Sequence, residues 1–255
     1  MGQLIGQVAL ITGATGGIGS AIARLFAQEG AAVVVADIAA NRVEQMAASI
    51  TQAGGAALGV ILDVTKSESC RQAVAAAVAR FGKLTTLVNS AGILRTGRID
   101  EMDERGWDEI MAVNVTGTFL ATKYAVPAIK MAGGGSIINL SSVSAFVGSD
   151  GSFAYTATKG AVLSLTFGIA QELAPDNIRV NALCPGWVDA GFTHQAMRST
   201  ADLAQLQAVA NSAHVLGRMA QPEEVAQAAL FLASPGASFI TGSPLFVDGG
   251  FMIKR

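Results

Sequence analysis

The chain has 255 residues, 51% hydrophobic and 14% charged, and its 17 basic and 19 acidic side chains leave a formal charge of −2. Charged residues usually supply about a quarter of a soluble domain, so this composition excludes disorder, which needs low hydrophobicity and high net charge. The near-neutral balance argues against nucleic acid or an acidic membrane as the main partner. Cys70 and Cys184 lie far apart and form no CxxC or Cys/His spacing. A disulfide framework and a zinc ribbon are therefore excluded, and a reducing compartment is the simplest setting. Residues 1–23 carry no charge, but they lack a basic start, and Gly13, Gly16, Gly17 and Gly19 interrupt any apolar run. Neither a signal peptide nor a membrane span is expected there, and the expected location is cytoplasmic.

In chain order, β-branched runs at 8–11, 32–36, 84–88, 136–140 and 178–180 read as buried strands. Between them, helical spacing covers 18–29, 42–52, 67–81, about 105–131 and 155–173. Gly30, Gly54 and Gly82 fall where the first three helices should stop, because a left-handed cap favours glycine. Strands alternating with helices imply a parallel sheet covered on both faces, since parallel strands cannot be joined by tight turns. No charge block, low-complexity run or Pro/Ser tract divides the chain, so residues 1–255 read as one domain. The alternation weakens after Pro185, and 187–215, which holds His194 and His214, reads as a loop suited to covering a substrate.

The first strand runs into Thr12-Gly13-Ala14-Thr15-Gly16-Gly17-Ile18-Gly19, and a helix follows at once. A dinucleotide loop needs this context, with backbone close to the pyrophosphate and the anion on a helix N-terminus. A merely tight strand-to-helix turn is the bland alternative. Asp37 ends the second strand 24 residues after Gly13. A carboxylate there can accept from the adenosine ribose hydroxyls and would repel a 2′-phosphate, unless it only caps the next helix. No Lys or Arg lies in the first loop or immediately after Asp37, so NAD is favoured over NADP.

Tyr155 and Lys159 open a helix at i, i+4 spacing and so share one face. A free tyrosine titrates near 10, and a neighbouring ammonium would lower that value towards the range of a useful acid/base. Alone, such a pair is as easily a surface contact. Ser142, however, stands at the end of the strand 136–140, thirteen residues before Tyr155, on the side of the sheet where open α/β folds bind ligands. Asn114 interrupts a long helical stretch in which Asn is a poor helix former.

Together these motifs make the chain resemble the classical short-chain dehydrogenases/reductases over nearly its whole length. The likeness rests on Thr12-Gly13-x-x-x-Gly17-Ile18-Gly19, Asp63-Val64, Asn89-Ser90-Ala91-Gly92, Asn114, Ser142, Tyr155 and Lys159, Pro185-Gly186, Thr241-Gly242 and Val247-Asp248-Gly249-Gly250. The resemblance implies a single-domain Rossmann fold of about seven parallel strands and an NAD-dependent oxidoreductase interconverting a secondary alcohol and a ketone. In it Tyr155 would be the acid/base, Lys159 would lower the Tyr155 pKa and hold the nicotinamide ribose, and Ser142 would steady the substrate oxygen. Asn114 would keep a water in line with Lys159. Gly13, Thr15, Gly17, Ile18, Gly19 and Asp37 would bind the dinucleotide. Asp63 and Val64 would meet its adenine, and Asn89, Ala91 and Gly92 its ribose. Pro185, Gly186 and Val188 would shape the nicotinamide pocket. The family also implies a homotetramer, paired through the 105–131 and 155–173 helices and a final strand at 246–248.

Two departures stand out. Ser90 replaces an Asn common in the family, and Ala190 replaces a Thr that contacts the nicotinamide carboxamide, for which Thr193 could substitute. Ser144, Phe146, Phe153 and Trp187 suggest an apolar pocket without a fixed charge, hence a neutral substrate. Phe192 and Met197 fit either that pocket or the packing of the loop. No metal is expected, because His194 and His214 have no third ligand at suitable spacing and read as solvated loop residues. Two rival functions are an NADPH-dependent 3-oxoacyl-thioester reductase of the same family and a non-catalytic dinucleotide sensor or scaffold. A sensor would have no need of an acid/base group.

Overall fold

The computed structural model describes residues 2–191, 193 and 203–254. Strand β1 (Val8–Thr12) is buried at every position, as a strand covered on both faces must be. β2 (Ala32–Asp37), β4 (Thr86–Asn89), β5 (Gly135–Leu140) and β6 (Ile178–Pro185) repeat that pattern, and β6 runs five residues beyond its expected end. Two further strands occupy the edges. β3 (Ala56–Ile61) was not expected from the sequence: its Ala-Ala-Leu-Gly start carries little β-branching, and an edge strand needs less burial. β7 (Pro244–Val247) falls close to the expected final strand.

All seven strands are parallel, in the order β3-β2-β1-β4-β5-β6-β7. The chain winds outward from β1 to β3, then returns beyond β1 to start β4. That reversal opens a crevice at the carboxyl ends of β1 and β4, where Thr12 and Asn89 are in register. This is the Rossmann arrangement.

Side chains alternate between two apolar layers. Ile11, Val33 and Val35 point to one face, against Ile22 and Phe26 of α1 (Gly17–Gln28) and Val225 of α8 (Pro222–Ala233). Leu10, Val34 and Leu87 point to the other, against Val74 of α3 (Ser67–Phe81), Ile129 of α5 (Gly117–Met131) and Leu173 of α6 (Phe153–Leu173). Phe26 is fully buried, and its truncation to Ala would cost about 3–5 kcal/mol. Helix α2 (Ala40–Gln52) adds Met46 and Ile50 to the first layer. Gly30, Gly54 and Gly82 all take positive φ just after their helices, as their placement in the sequence predicts.

The stretch 105–131 is not one helix. It is α4 (Glu104–Met111) and α5, joined by a π-helical turn at Ala112–Thr116 that carries Asn114. Inserted π turns are frequent at functional sites, and here the turn aims the Asn114 amide sideways out of the helix. Helix α7 (Leu203–Ser212) follows the undescribed part of the 187–215 segment. Among the described residues no helix is long and apolar enough to cross a membrane.

Candidate active site

Backbone forms the floor of the crevice. Gly13 has φ +63°, and a Cβ on it would lie 2.7 Å from the Ala91 backbone. A Cβ on Gly19 would meet the Gly13 carbonyl at 2.3 Å, and one on Gly17 the Ala190 Cβ at 2.4 Å. The Thr12 hydroxyl accepts from the Ser90 and Ala91 amides at 3.1 Å each, tying the end of β1 to that of β4. No side chain caps the N-terminus of α1, and its first turn holds no acid, so its amides face the crevice uncompensated.

At one end, the Asp37 carboxylate accepts from the Thr15 amide at 3.0 Å and the Thr15 hydroxyl at 2.8 Å through one oxygen. Its other oxygen takes the Ala39 amide at 3.3 Å. Asp37 is thus braced against the glycine loop while still lining the crevice. The absence of a cation read from the sequence holds only locally. Arg42, on the first turn of α2, swings back to donate to the Thr15 carbonyl and lines the same wall. Asp63 accepts from the Thr65 amide and hydroxyl, and Val64 lines the wall beside it.

At the other end three side chains converge. Ser142, leaving β5, is buried, caps a short turn through the Ser144 amide at 3.1 Å and is hydrogen-bonded to Tyr155. Tyr155 and Lys159 rise from the first turns of α6, with the Lys159 ammonium 5.3 Å from the centre of the phenol ring. The Lys159 Nζ donates to the Leu140 carbonyl at 2.7 Å. The electrostatics differ from expectation. Burial pushes Tyr155 up to about 12, opposed only by its bond to Ser142, and burial pushes Lys159 down to about 8. Loss of hydration favours the neutral form of each, and this outweighs any help from the ammonium to the phenolate.

A cavity of about 640 Å³ joins the two ends. Its walls include Gly13, Thr15, Gly17, Ile18, Gly19, Asp37, Asp63, Val64, Ala91, Gly92, Ser142, Ser144, Tyr155, Lys159, Pro185, Gly186, Trp187 and Val188. Thr193 is also on the wall, near Ala190. Four expected residues are not. Asn89 turns into the sheet, where its amide donates to Asn139 at 2.8 Å and Thr122 at 3.0 Å. Asn114 is spent on Ile93, accepting from its amide at 2.8 Å and donating to its carbonyl at 3.0 Å, with Thr158 as a further partner. Phe153 stacks on Trp107 at 6.2 Å, away from the cavity, and Phe146 packs on Phe246.

Leu94, Thr96 and Val147, within the segments 93–97 and 144–153 expected to set specificity, line the walls, and sequence reasoning missed Arg42 and Phe251, which line them too. Their only signal was proximity to named motifs, Phe251 directly after Gly250 for example. His214 is not a solvated loop residue: it is 1% exposed, and both ring nitrogens are engaged. Phe192, His194 and Met197 lie outside the described residues. Among the described residues no group of three or more His, Cys, Asp or Glu side chains could hold a metal.

The family model described as Enoyl-(Acyl carrier protein) reductase (adh_short_C2) matches residues 13–252. The chain is 41% identical, over 98% of both chains, to 2,5-dichloro-2,5-cyclohexadiene-1,4-diol dehydrogenase LinX of Sphingobium indicum. It is 40% identical to cyclopentanol dehydrogenase of Comamonas sp., over 98% of this chain and 99% of that one. It is also 39% identical to 3-oxoacyl-[acyl-carrier-protein] reductase FabG of Thermotoga maritima, over 98% of this chain and all of that one.

Proposed function

The chain belongs to the short-chain dehydrogenase/reductase family, and from that premise we propose that it interconverts a neutral secondary alcohol and its ketone, preferring NAD. It is an oxidoreductase that acts on a CH–OH group with a nicotinamide dinucleotide. One observation carries the finer reading: Ser142, Tyr155 and Lys159 line the same cavity as the glycine loop. The loop suits a dinucleotide, because three glycines leave no room for a Cβ where the backbone must approach it, and α1 offers uncapped amides to a pyrophosphate.

When bound, the nicotinamide takes or gives the hydride. The remaining chemistry falls to the chain. The Tyr155 hydroxyl exchanges the proton of the substrate oxygen, and Ser142, bonded to Tyr155, steadies the charge that develops there. Lys159, anchored on the Leu140 carbonyl, supplies positive charge beside the phenol and would hold the nicotinamide ribose. Asn114 acts as a positioning residue by fixing Ile93, a wall of the cavity. Asp37 selects NAD through its charge and the one acceptor position that Thr15 and Ala39 leave open. Leu94, Val143, Val147 and Trp187 form an apolar lining with Ser144 at its edge, and the diol and cyclopentanol dehydrogenases among the relatives support a neutral, alicyclic type of substrate. A single domain over 1–255, a cytoplasmic location and a homotetramer belong to the same reading. The exposed Phe119 of α5 and Phe167 of α6 support the tetramer.

Arg42 and the FabG relative favour a second reading, reduction of a 3-oxoacyl thioester with NADPH. Initial rates on a panel of secondary alcohols, run in parallel with NAD and NADP, decide between them. NAD-dependent turnover of neutral alcohols is expected, and Asp37→Ala should relax the preference at least about tenfold by removing a like-charge repulsion. Turnover with NADP alone, chiefly in the reductive direction, would establish the second reading in its place.

A further inference from the structure

The wall that closes the reacting end of the cavity, Pro185 to Val188, is tied to β7 by the Gly186 amide on the Val247 carbonyl and to Ala220 through the Trp187 carbonyl and the Asp189 amide. The Trp187 amide itself is held by a side chain 27 positions later. The Trp187 amide donates to His214 Nε2 at 3.1 Å, and His214 Nδ1 lies 2.9 Å from the Ala210 carbonyl. Since Trp187 N–H can only donate, Nε2 must accept, and the ring proton sits on Nδ1, directed at Ala210 of α7. The imidazole fills the space beside Gly186, where a Cβ would lie 2.6 Å from Nε2. Its ring also packs on Phe251, itself a cavity wall, at 5.8 Å. The Lys254 ammonium holds the His214 carbonyl at 3.1 Å, and the Leu216 amide reaches Gly249 at 3.1 Å. One buried side chain therefore joins the end of β6, helix α7 and the C-terminal turn.

We propose that His214 is a positioning residue for dinucleotide binding, clasping the Gly186–Trp187 wall to α7 and Phe251 through a single neutral tautomer. The geometry is specific to imidazole. An apolar side chain of the same size would fill the space beside Gly186 but leave the Trp187 amide buried without an acceptor, and the wall would swing to find one. A glutamine can return an acceptor to the Nε2 position. The inference rests on the dinucleotide reading of the cavity.

The chain has two tryptophans, so Trp107→Phe leaves Trp187 as the sole reporter. In that background, NAD titrations followed by Trp187 emission compare His214 with His214→Leu and His214→Gln. The expected result is about tenfold weaker NAD binding and a shifted emission in the Leu variant, with Gln restoring both to within about threefold of the parent. A folded Leu variant with the parent's affinity and emission would overturn the clasp, as would a folded Gln variant that loses as much as Leu. If His214→Leu does not fold, Gln decides alone: affinity within threefold supports the clasp, and a tenfold loss overturns it. If the parent binds no dinucleotide, the cofactor reading fails, while the emission comparison still tests the hold on Trp187.

Discussion

At one end of the cavity Gly13, Gly17 and Gly19 act through atoms they lack, and they lie within seven residues of one another. At the other end Ser142, Tyr155 and Lys159 would act through functional groups brought together from the end of β5 and from α6, and Trp187 beside them bonds His214 from the last fifth of the chain. The first end is a short-range construction: a strand, a turn and a helix fix it. The second depends on strand order, because only the return of the chain to β4 and β5 brings Ser142 opposite the glycine loop. A backbone cradle tolerates no added carbon, whereas a side-chain cluster tolerates repacking but not loss of a proton donor.

The largest effect should come from breaking the chemical end alone. Tyr155→Phe should lower turnover at least about a hundredfold, the usual scale of acid/base loss, while dinucleotide binding changes little. Initial rates and direct titration of NAD check both halves of that statement. The wild type supplies a pH signature of the same group. With Tyr155 pushed up to about 12, its base form is scarce at neutral pH and grows with each unit of pH. The oxidative rate should therefore climb steeply between about pH 7 and 9, while the reductive rate, which uses the phenol, stays nearly flat. An oxidative rate independent of pH across that range would mean that Tyr155 titrates below it in the working complex, with Lys159 and the bound dinucleotide outweighing the burial.

The backbone end should respond to a single methyl group. Gly17→Ala aims a Cβ at the Ala190 Cβ, 2.4 Å away, so the segment after Val188 must move. NAD binding should weaken by about tenfold or more, by the cost of overpacking a tight contact. Ala190→Gly removes the opposing atom, and the double variant should recover most of the loss. Failure of that rescue would show that the methyl acts through the helix N-terminus rather than through Ala190.

The same contrast explains what could be read in advance. Local spacing exposed the glycine loop, Asp37 and the Tyr155–Lys159 pair, since each lies on one element or one turn. The five inner strands were legible because burial on both faces demands apolar runs, whereas β3, half-exposed at the sheet edge, carries no such pattern. Asn114 was recognisable as a poor helix former and Asn89 only through the family resemblance, but neither in its partners: Asn89 donates to Asn139, and Asn114 pins Ile93. Arg42 was not legible because it stands five residues after Asp37 in sequence, and only the first turn of α2 folds it back onto Thr15. The sign of the Tyr155 shift was misjudged because a sequence shows a neighbouring charge but not the loss of water around both groups.

The smallest effect should come from Phe153, and its smallness is the point. Its neighbour two residues on, Tyr155, faces the cavity, but successive residues on a helix point about 100° apart, so Phe153 projects to a different face. There it stacks on Trp107 of α4 with rings nearly parallel, 14° apart. Phe153→Leu removes that ring contact, worth about 0.5–1.5 kcal/mol beyond its area, and leaves the cavity lining untouched. The melting temperature should fall by a few degrees, while KM for the alcohol and its kcat stay within about twofold of wild type. Ser144→Val, on the lining itself, should do the reverse, moving KM without moving the melting temperature as far. A Phe153 variant that changed substrate preference would mean that the ring leaves Trp107 when substrate binds, and that the substrate wall includes the face of α6 that now packs on α4.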